Sequence, residues 1–186
     1  MIPAVVDYLR VDSAEAAIAA LGEYGDEAKL LAGGQSLIPL MRLRLAAPTV
    51  LVDIGRVTDL VGVSVSGDTV SIGALTTHSA LEHSAELAEA CPLLAHVASQ
   101  VGDPAVRHRG TLGGSLAHAD PASDLPAAVL ALGGTLVVTG PAGAREIAAT
   151  DFFTGFLESA IAHNEVLTEV RVPVSTGGWS YQKFNR

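Results

Sequence analysis

Two short segments, far apart in the chain, share one arrangement: a pair of adjacent glycines with a hydroxyl residue close behind. The first is Leu30-Leu31-Ala32-Gly33-Gly34-Gln35-Ser36-Leu37 and the second is Arg109-Gly110-Thr111-Leu112-Gly113-Gly114-Ser115-Leu116. Glycine opens backbone angles closed to other residues and lets another group approach the main chain closely. Successive N–H groups in such a turn, with a helix start behind them, form a nest for an anion. Read singly, the first loop is more simply a tight strand-to-helix turn with no ligand. Two such loops together suit a ligand with a central diphosphate better than either does alone. Neither contains the Gly-Lys-Ser/Thr of a Walker A loop or a Gly-x-Gly-x-x-Gly fingerprint.

The surrounding patterns place the first loop in an α/β unit. Val5 to Val11 reads as a strand, and Asp12-Ser13-Ala14-Glu15 has the form of a capping box with Asp12 as N-cap. A helix follows and stops near Gly22 or Gly25. Lys29 to Ala32 and Val50 to Ile54 are short apolar strands, which closes a first unit at about Arg56. Beyond it come a hairpin, Leu60–Val65 and Thr69–Ala74 around Ser66-Gly67-Asp68, and helical patterns over 77–90 and 92–101. Residues 102–122, rich in glycine and proline, show no period and read as one long irregular loop, which itself suggests function. A helix over 124–132, a second hairpin (Thr135–Val138, Arg145–Ala148) and closing strands at Glu165–Val172 and Trp179–Phe184 complete an α+β chain.

Composition narrows the functional classes. The formal charge of −9 repels phosphate backbones and argues against nucleic acid, while a nest of backbone N–H groups still accepts a polyanion. Half the residues are apolar but few are aromatic, so the core is built from Ala, Val, Leu and Ile. Cys91 is the one cysteine; it forms no internal disulfide, holds no iron–sulfur cluster alone, and reads as a small buried hydrophobe. With no export signal at Met1-Ile2-Pro3-Ala4, the expected compartment is the cytoplasm. Leu125 to Ala144 carries no charge, but Pro126, Gly133-Gly134 and Gly140-Pro141 break it into pieces too short to span a membrane.

Asp124, at the mouth of a predicted helix, can accept from a sugar or ribityl hydroxyl, or serve as a first-turn acid. The six histidines show no metal spacing and read as surface or capping residues. His118 lies inside the second loop and is the one best placed to approach a ligand.

At these residues a family resemblance emerges. Ala32-Gly33-Gly34-Gln35-Ser36 with Leu37-Ile38-Pro39 and Leu43-Arg44-Leu45 resembles the first FAD loop of the medium subunit of molybdenum hydroxylases, the xanthine oxidase and carbon monoxide dehydrogenase family. Arg107-His108-Arg109-Gly110-Thr111-Leu112-Gly113-Gly114 with Ala119-Asp120-Pro121-Ala122-Ser123-Asp124-Leu125-Pro126 resembles the second. Ile72 to Thr76, Glu165 to Thr168 and Tyr181-Gln182-Lys183-Phe184 follow in the family's order, so the likeness runs over essentially the whole chain.

The resemblance implies a two-part FAD-binding domain of the vanillyl-alcohol-oxidase (PCMH-like) type, with residues 1–56 and 57–186 clasping the dinucleotide. By position, Lys29, Leu30, Leu31, Ala32, Gly33, Gly34, Gln35 and Ser36, with Thr111, Leu112, Gly113, Gly114 and Ser115, hold the diphosphate. Asp124 meets the cofactor's hydroxyls, and Val101, Leu167 and Lys183 lie near adenine or flavin. Ser115 stands where many members have asparagine. The implied partners are a large subunit with molybdopterin and a small subunit with 2Fe–2S clusters, assembled as a dimer of heterotrimers. Electrons would pass from those clusters through the flavin to quinone, NAD or oxygen. The flavin carries the redox chemistry, so no catalytic acid or base and no metal ligand is assigned to this chain. The alternatives are a stand-alone FAD-dependent oxidoreductase, for which too little chain remains to build a substrate domain, and a flavin-free scaffold, which would not need both glycine pairs. The sequence stops just after Lys183, where members continue into a small C-terminal domain, so that domain is expected to be absent.

Overall fold

The computed structural model describes residues 2–184; the chain ends read above, Met1 and Arg186, lie outside the described residues. The first three strands, β1 (Asp7–Arg10), β2 (Ala28–Leu31) and β3 (Val50–Asp53), form a parallel sheet in the order β1-β3-β2. Asp7 and Ala28 both stand opposite Val50. Helix α1 (Ala14–Tyr24) covers this sheet, burying Ala17, Ala20 and Leu21. Its N-cap is Ser13, whose hydroxyl accepts from Ala16 N at 3.1 Å, and not Asp12 as the capping-box reading expects. Gly25, at φ 55°, ends the helix. A short α2 (Leu37–Arg42) joins β2 to β3. The core of this unit also takes in Leu60, Leu75 and Val166 from beyond residue 56.

The second sheet is antiparallel and has five strands, β4 (Val63–Ser66), β5 (Thr69–Gly73), β6 (Thr135–Gly140), β7 (Gly143–Ala148) and β10 (Val166–Pro173), in the order β4-β5-β10-β6-β7. The two expected hairpins are present, the first turning at Gly67 with φ 56°. A helical layer lies against the sheet: α3 (His78–His83), α4 (Ala85–Ala90), α5 (Pro92–Ser99) and α8 (Asp124–Ala131). Val70, Ile72, Leu136, Val138 and Val170 meet Leu81, Leu94, Leu116 and Val129 in one fully buried cluster. Each such side chain contributes about 1.5–3 kcal/mol by leaving water. A small helix α9 (Ala149–Phe152) and the ribbon β8 (Phe153–Gly155) and β9 (Glu158–Ser159) complete the fold.

Three expectations are corrected. The pattern over 77–90 is two helices, because Ser84 leaves the helical conformation and caps α4 through Leu87 N. Residues 102–122 are not one irregular loop: α6 (Pro104–Arg107), capped by Asp103, and α7 (Leu112–His118), capped by Thr111, lie within them. Their glycines mask the caps, since Gly113 serves close packing, where a Cβ would lie 2.6 Å from that of Ala74. Trp179–Phe184 forms no strand; it is an extended strap held by side chains, described below. Among the described residues, no helix is long and apolar enough to cross a membrane.

Candidate functional site

The first loop carries the chain from β2 into α2. Gly34 turns it, with φ 76°. Among the described residues, the N–H groups of Gly33, Gly34, Gln35, Ser36 and Leu37 have no hydrogen-bond acceptor. A run of free N–H groups at one turn carries positive potential and suits an anionic oxygen. No cationic side chain is needed to supply that potential, which is consistent with the acidic composition.

The second loop differs. Leu112 N donates to Thr76 O at 3.0 Å, Gly113 N to Ala74 O at 2.8 Å, Gly114 N to Thr111 Oγ1 at 3.1 Å and Ser115 N to Thr111 O at 3.1 Å. The shared nest logic expected for both loops therefore applies to the first alone. Two of these donors dock α7 to the 74–76 segment between β5 and α3, and two close the first turn of α7 on Thr111.

The loops meet. Gly33 packs against the Arg109–Gly110 backbone so closely that a Cβ would lie 2.7 Å from the Arg109 carbonyl carbon. Together they border a cleft of about 380 Å³ between the two sheets, within the range of small-molecule sites. Lys29 to Ser36 all line it, as do Thr111, Gly113, Gly114, Ser115 and Leu167. Ala162, His163 and Glu165 line it as well. Glu165 is held by a bidentate pair with Arg145, both N···O distances 2.7 Å, and this keeps its carboxyl below the ordinary range.

Four residues named from the resemblance stand elsewhere. Leu112 is fully buried and faces the core. Val101, Asp124 and Lys183 do not line the cleft; the last two join a separate cluster near the end of α5. There the Lys183 ammonium donates to Asp124 and to the Gln100 carbonyl, both at 2.8 Å, and the Tyr181 hydroxyl donates to the same carboxylate. Burial, and then that carboxylate, push the Tyr181 phenol up to about 12. Asp124 is the first residue of α8 and makes no cap; it pins the C-terminal strap.

His78, expected with the other histidines to be a surface or capping residue, is buried at 3% exposure. Its Nε2 lies 3.0 Å from Thr111 O and 3.1 Å from Ser115 Oγ. Burial lowers its pKa, the Thr111 carbonyl opposes that shift, and Arg107 adds to it. The available signal was its place two residues beyond Thr76, where a stretch in the family pattern ends. His83, His96, His108 and His163 are exposed as expected, and His118 is partly buried and borders the cleft.

The family described as the FAD binding domain in molybdopterin dehydrogenase matches residues 4–175. The chain is 44% identical to the carbon monoxide dehydrogenase medium chain of Hydrogenophaga pseudoflava over 188 positions, covering all of this chain and 66% of that one. It is 45% identical to the medium chain of Afipia carboxidovorans, covering all of this chain and 65% of the relative. The solved structure of the Hydrogenophaga pseudoflava carbon monoxide dehydrogenase superposes with a TM-score of 0.98 at 44% identity, over all of this chain and 66% of that one. The chain thus spans about two thirds of the length of the relatives it matches. The residues present fit such a cofactor: the cleft is lined by Gly33 to Leu37, whose N–H groups are unpaired, and Gly33 brings this loop into backbone contact with the second. The chain belongs to the family of FAD-binding domains of molybdopterin dehydrogenases.

Proposed function

We propose that this chain is the FAD-holding electron-transfer part of a molybdenum hydroxylase, and that its fold is of the vanillyl-alcohol-oxidase (PCMH-like) type. Residues 1–56 and 57–186 act as two subdomains that clasp the cofactor. The observation that carries this reading is the convergence of both glycine-rich loops on one cleft, lined by Gly33 to Leu37, whose N–H groups are free. Bound there, FAD supplies two-electron and one-electron redox chemistry. The chain's own part is to hold and orient it. The Gly33–Leu37 amides meet the diphosphate, Ser115 adds a hydroxyl, and Leu167 supplies apolar contact. Asp124 and Lys183 meet the far end of the cofactor where it leaves the cleft toward α5.

In this reading the partners are an iron–sulfur subunit that delivers electrons and a molybdopterin subunit that oxidises the substrate. The assembly is a cytoplasmic dimer of heterotrimers, and quinone, NAD or oxygen is the final acceptor. Substrate choice lies outside this chain. The test is reconstitution: the chain should take up one FAD per molecule and release it to the supernatant on acid precipitation. Colour retained in the washed pellet refutes non-covalent binding, and a folded chain that takes up no FAD refutes the reading. Co-expression with the iron–sulfur and molybdopterin subunits should give one heteromeric peak on gel filtration; elution of this chain alone under gentle conditions counts against the partners.

A further inference from the structure

Beneath the second loop, His78 holds two acceptors with a single proton. Thr111 O is a carbonyl and only accepts, so the ring proton lies on Nε2 and is directed to it at 3.0 Å. Ser115 Oγ, at 3.1 Å from the same nitrogen, then receives a share of that proton and does not donate to the ring. The Ser115 hydroxyl keeps its own proton, and among the described residues no acceptor takes it. Ser115 borders the cleft.

The other ring nitrogen is equally informative. Nδ1 is buried with no hydrogen-bond partner. A buried acceptor left unpaired is costly, and an apolar residue of similar size would avoid that cost if His78 merely filled space. Gly110 is fitted to the ring, since a Cβ there would lie 2.7 Å from Cε1 and 2.9 Å from Nδ1. The backbone amides of 112–115 are already spent, so along this stretch of α7 the hydroxyl that His78 orients is the donor left to face the cleft.

We propose that His78 is a positioning residue for the cofactor site: it fixes the Ser115 hydroxyl as an outward donor to an anionic oxygen of the bound diphosphate. This inference rests on the reading that the cleft holds FAD. It assigns the residue's action through Ser115, with no contact of its own with the ligand.

A double-mutant cycle on the 186-residue chain, read as FAD dissociation constants from flavin fluorescence, tests it. Ser115→Ala and His78→Leu should each weaken binding about tenfold, the scale of one hydrogen bond to a charged group. The double variant should also be about tenfold weaker, because both changes remove the same interaction. His78→Gln, whose amide places an N–H near the Nε2 position, should stay within about threefold of wild type. Where His78→Leu does not fold, His78→Asn replaces it in the cycle, since its shorter amide cannot reach both acceptors. Additive losses near a hundredfold, or an unchanged constant for Ser115→Ala, overturn the proposal while FAD binding by the wild type stands. A folded wild-type chain that binds no FAD overturns the cofactor reading and this inference with it.

Discussion

A Cβ placed on Gly33 would lie 2.0 Å from the carbonyl oxygen of Arg109, so the two glycine-rich loops touch backbone to backbone. No side-chain rearrangement can relieve that contact. Gly33→Ala should therefore part the loops, destabilise the chain by about 1–3 kcal/mol and weaken FAD binding at least tenfold. Gly22 is the control: it lies inside α1 with nothing within 4 Å of an added Cβ. Gly22→Ala should raise stability by about 0.5–1 kcal/mol. Urea melts and FAD titrations check both; a harmless Gly33→Ala would mean the loops part without cost.

Two further glycines separate backbone conformation from packing. Gly34 holds φ 76°, and its Cβ would meet Ile38 Cδ1 at 2.7 Å; that of Gly114 would lie 2.7 Å from the Thr111 hydroxyl that caps α7. Valine at either position adds a β-branched side chain at the cleft wall. Gly34→Val and Gly114→Val should abolish measurable FAD binding while far-UV circular dichroism stays close to wild type. Unchanged affinity in either variant would remove that loop from the site.

The C-terminal strap depends on Asp124, which takes hydrogen bonds from both Tyr181 and Lys183. Tyr181→Phe should cost about 1 kcal/mol, the net value of a hydrogen bond. Asp124→Ala should cost more, because the phenol loses its acceptor and the ammonium keeps only the Gln100 carbonyl. Hydrogen exchange should quicken over residues 175–184 in both variants and remain unchanged in α1. Equal exchange in wild type and Asp124→Ala would show that the strap is held by packing alone.

Stability should fall in two acid windows. Burial holds the His78 pKa below its ordinary 6.5, so the fold favours the neutral ring. Above 6.5 both states are neutral and stability is full. As pH falls through 6.5 the unfolded chain gains a proton that the folded chain refuses, and stability drops until the lower folded value is reached. Arg107 opposes protonation of the ring and Asp124 favours it; Glu82 pairs with Arg107 at 2.8 Å. Glu165, lowered by Arg145 from an ordinary 4.5, supports the fold above 4.5 and loses that contribution as pH falls through its folded value. The half-exposed Arg145 side chain limits this second contribution to below about 1 kcal/mol. A series of melting temperatures should show both limbs in wild type and only the lower one in His78→Gln. A surviving upper limb would assign it to another group.

Much of the fold was legible in local pattern. The turn at Ser66-Gly67-Asp68 marked the first hairpin, and Gly67 and Gly25, one of the two glycines offered as the stop of α1, have positive φ. Reading failed where a local signal had two meanings. The glycines of 102–122 suggested an irregular loop, whereas Gly113 and Gly110 are there so that α7 approaches Ala74 and the His78 ring.

By itself the sequence determined the strands of the first sheet, helix α1, the two hairpins, helix α8 and the two glycine-pair loops, because hydrophobic period, caps and turn residues act within a few positions of chain. Tertiary structure alone decided which of those loops keeps its N–H groups free. Leu112 N and Gly113 N are taken by Thr76 O and Ala74 O, acceptors supplied from a distant stretch of chain. The same holds for His78, a helix-initial residue by pattern, which becomes a buried donor to Thr111 and Ser115 only when α3 and α7 are packed together. A hydrogen bond's partner is set by where the backbone is brought in space, and the local sequence specifies only that a donor exists.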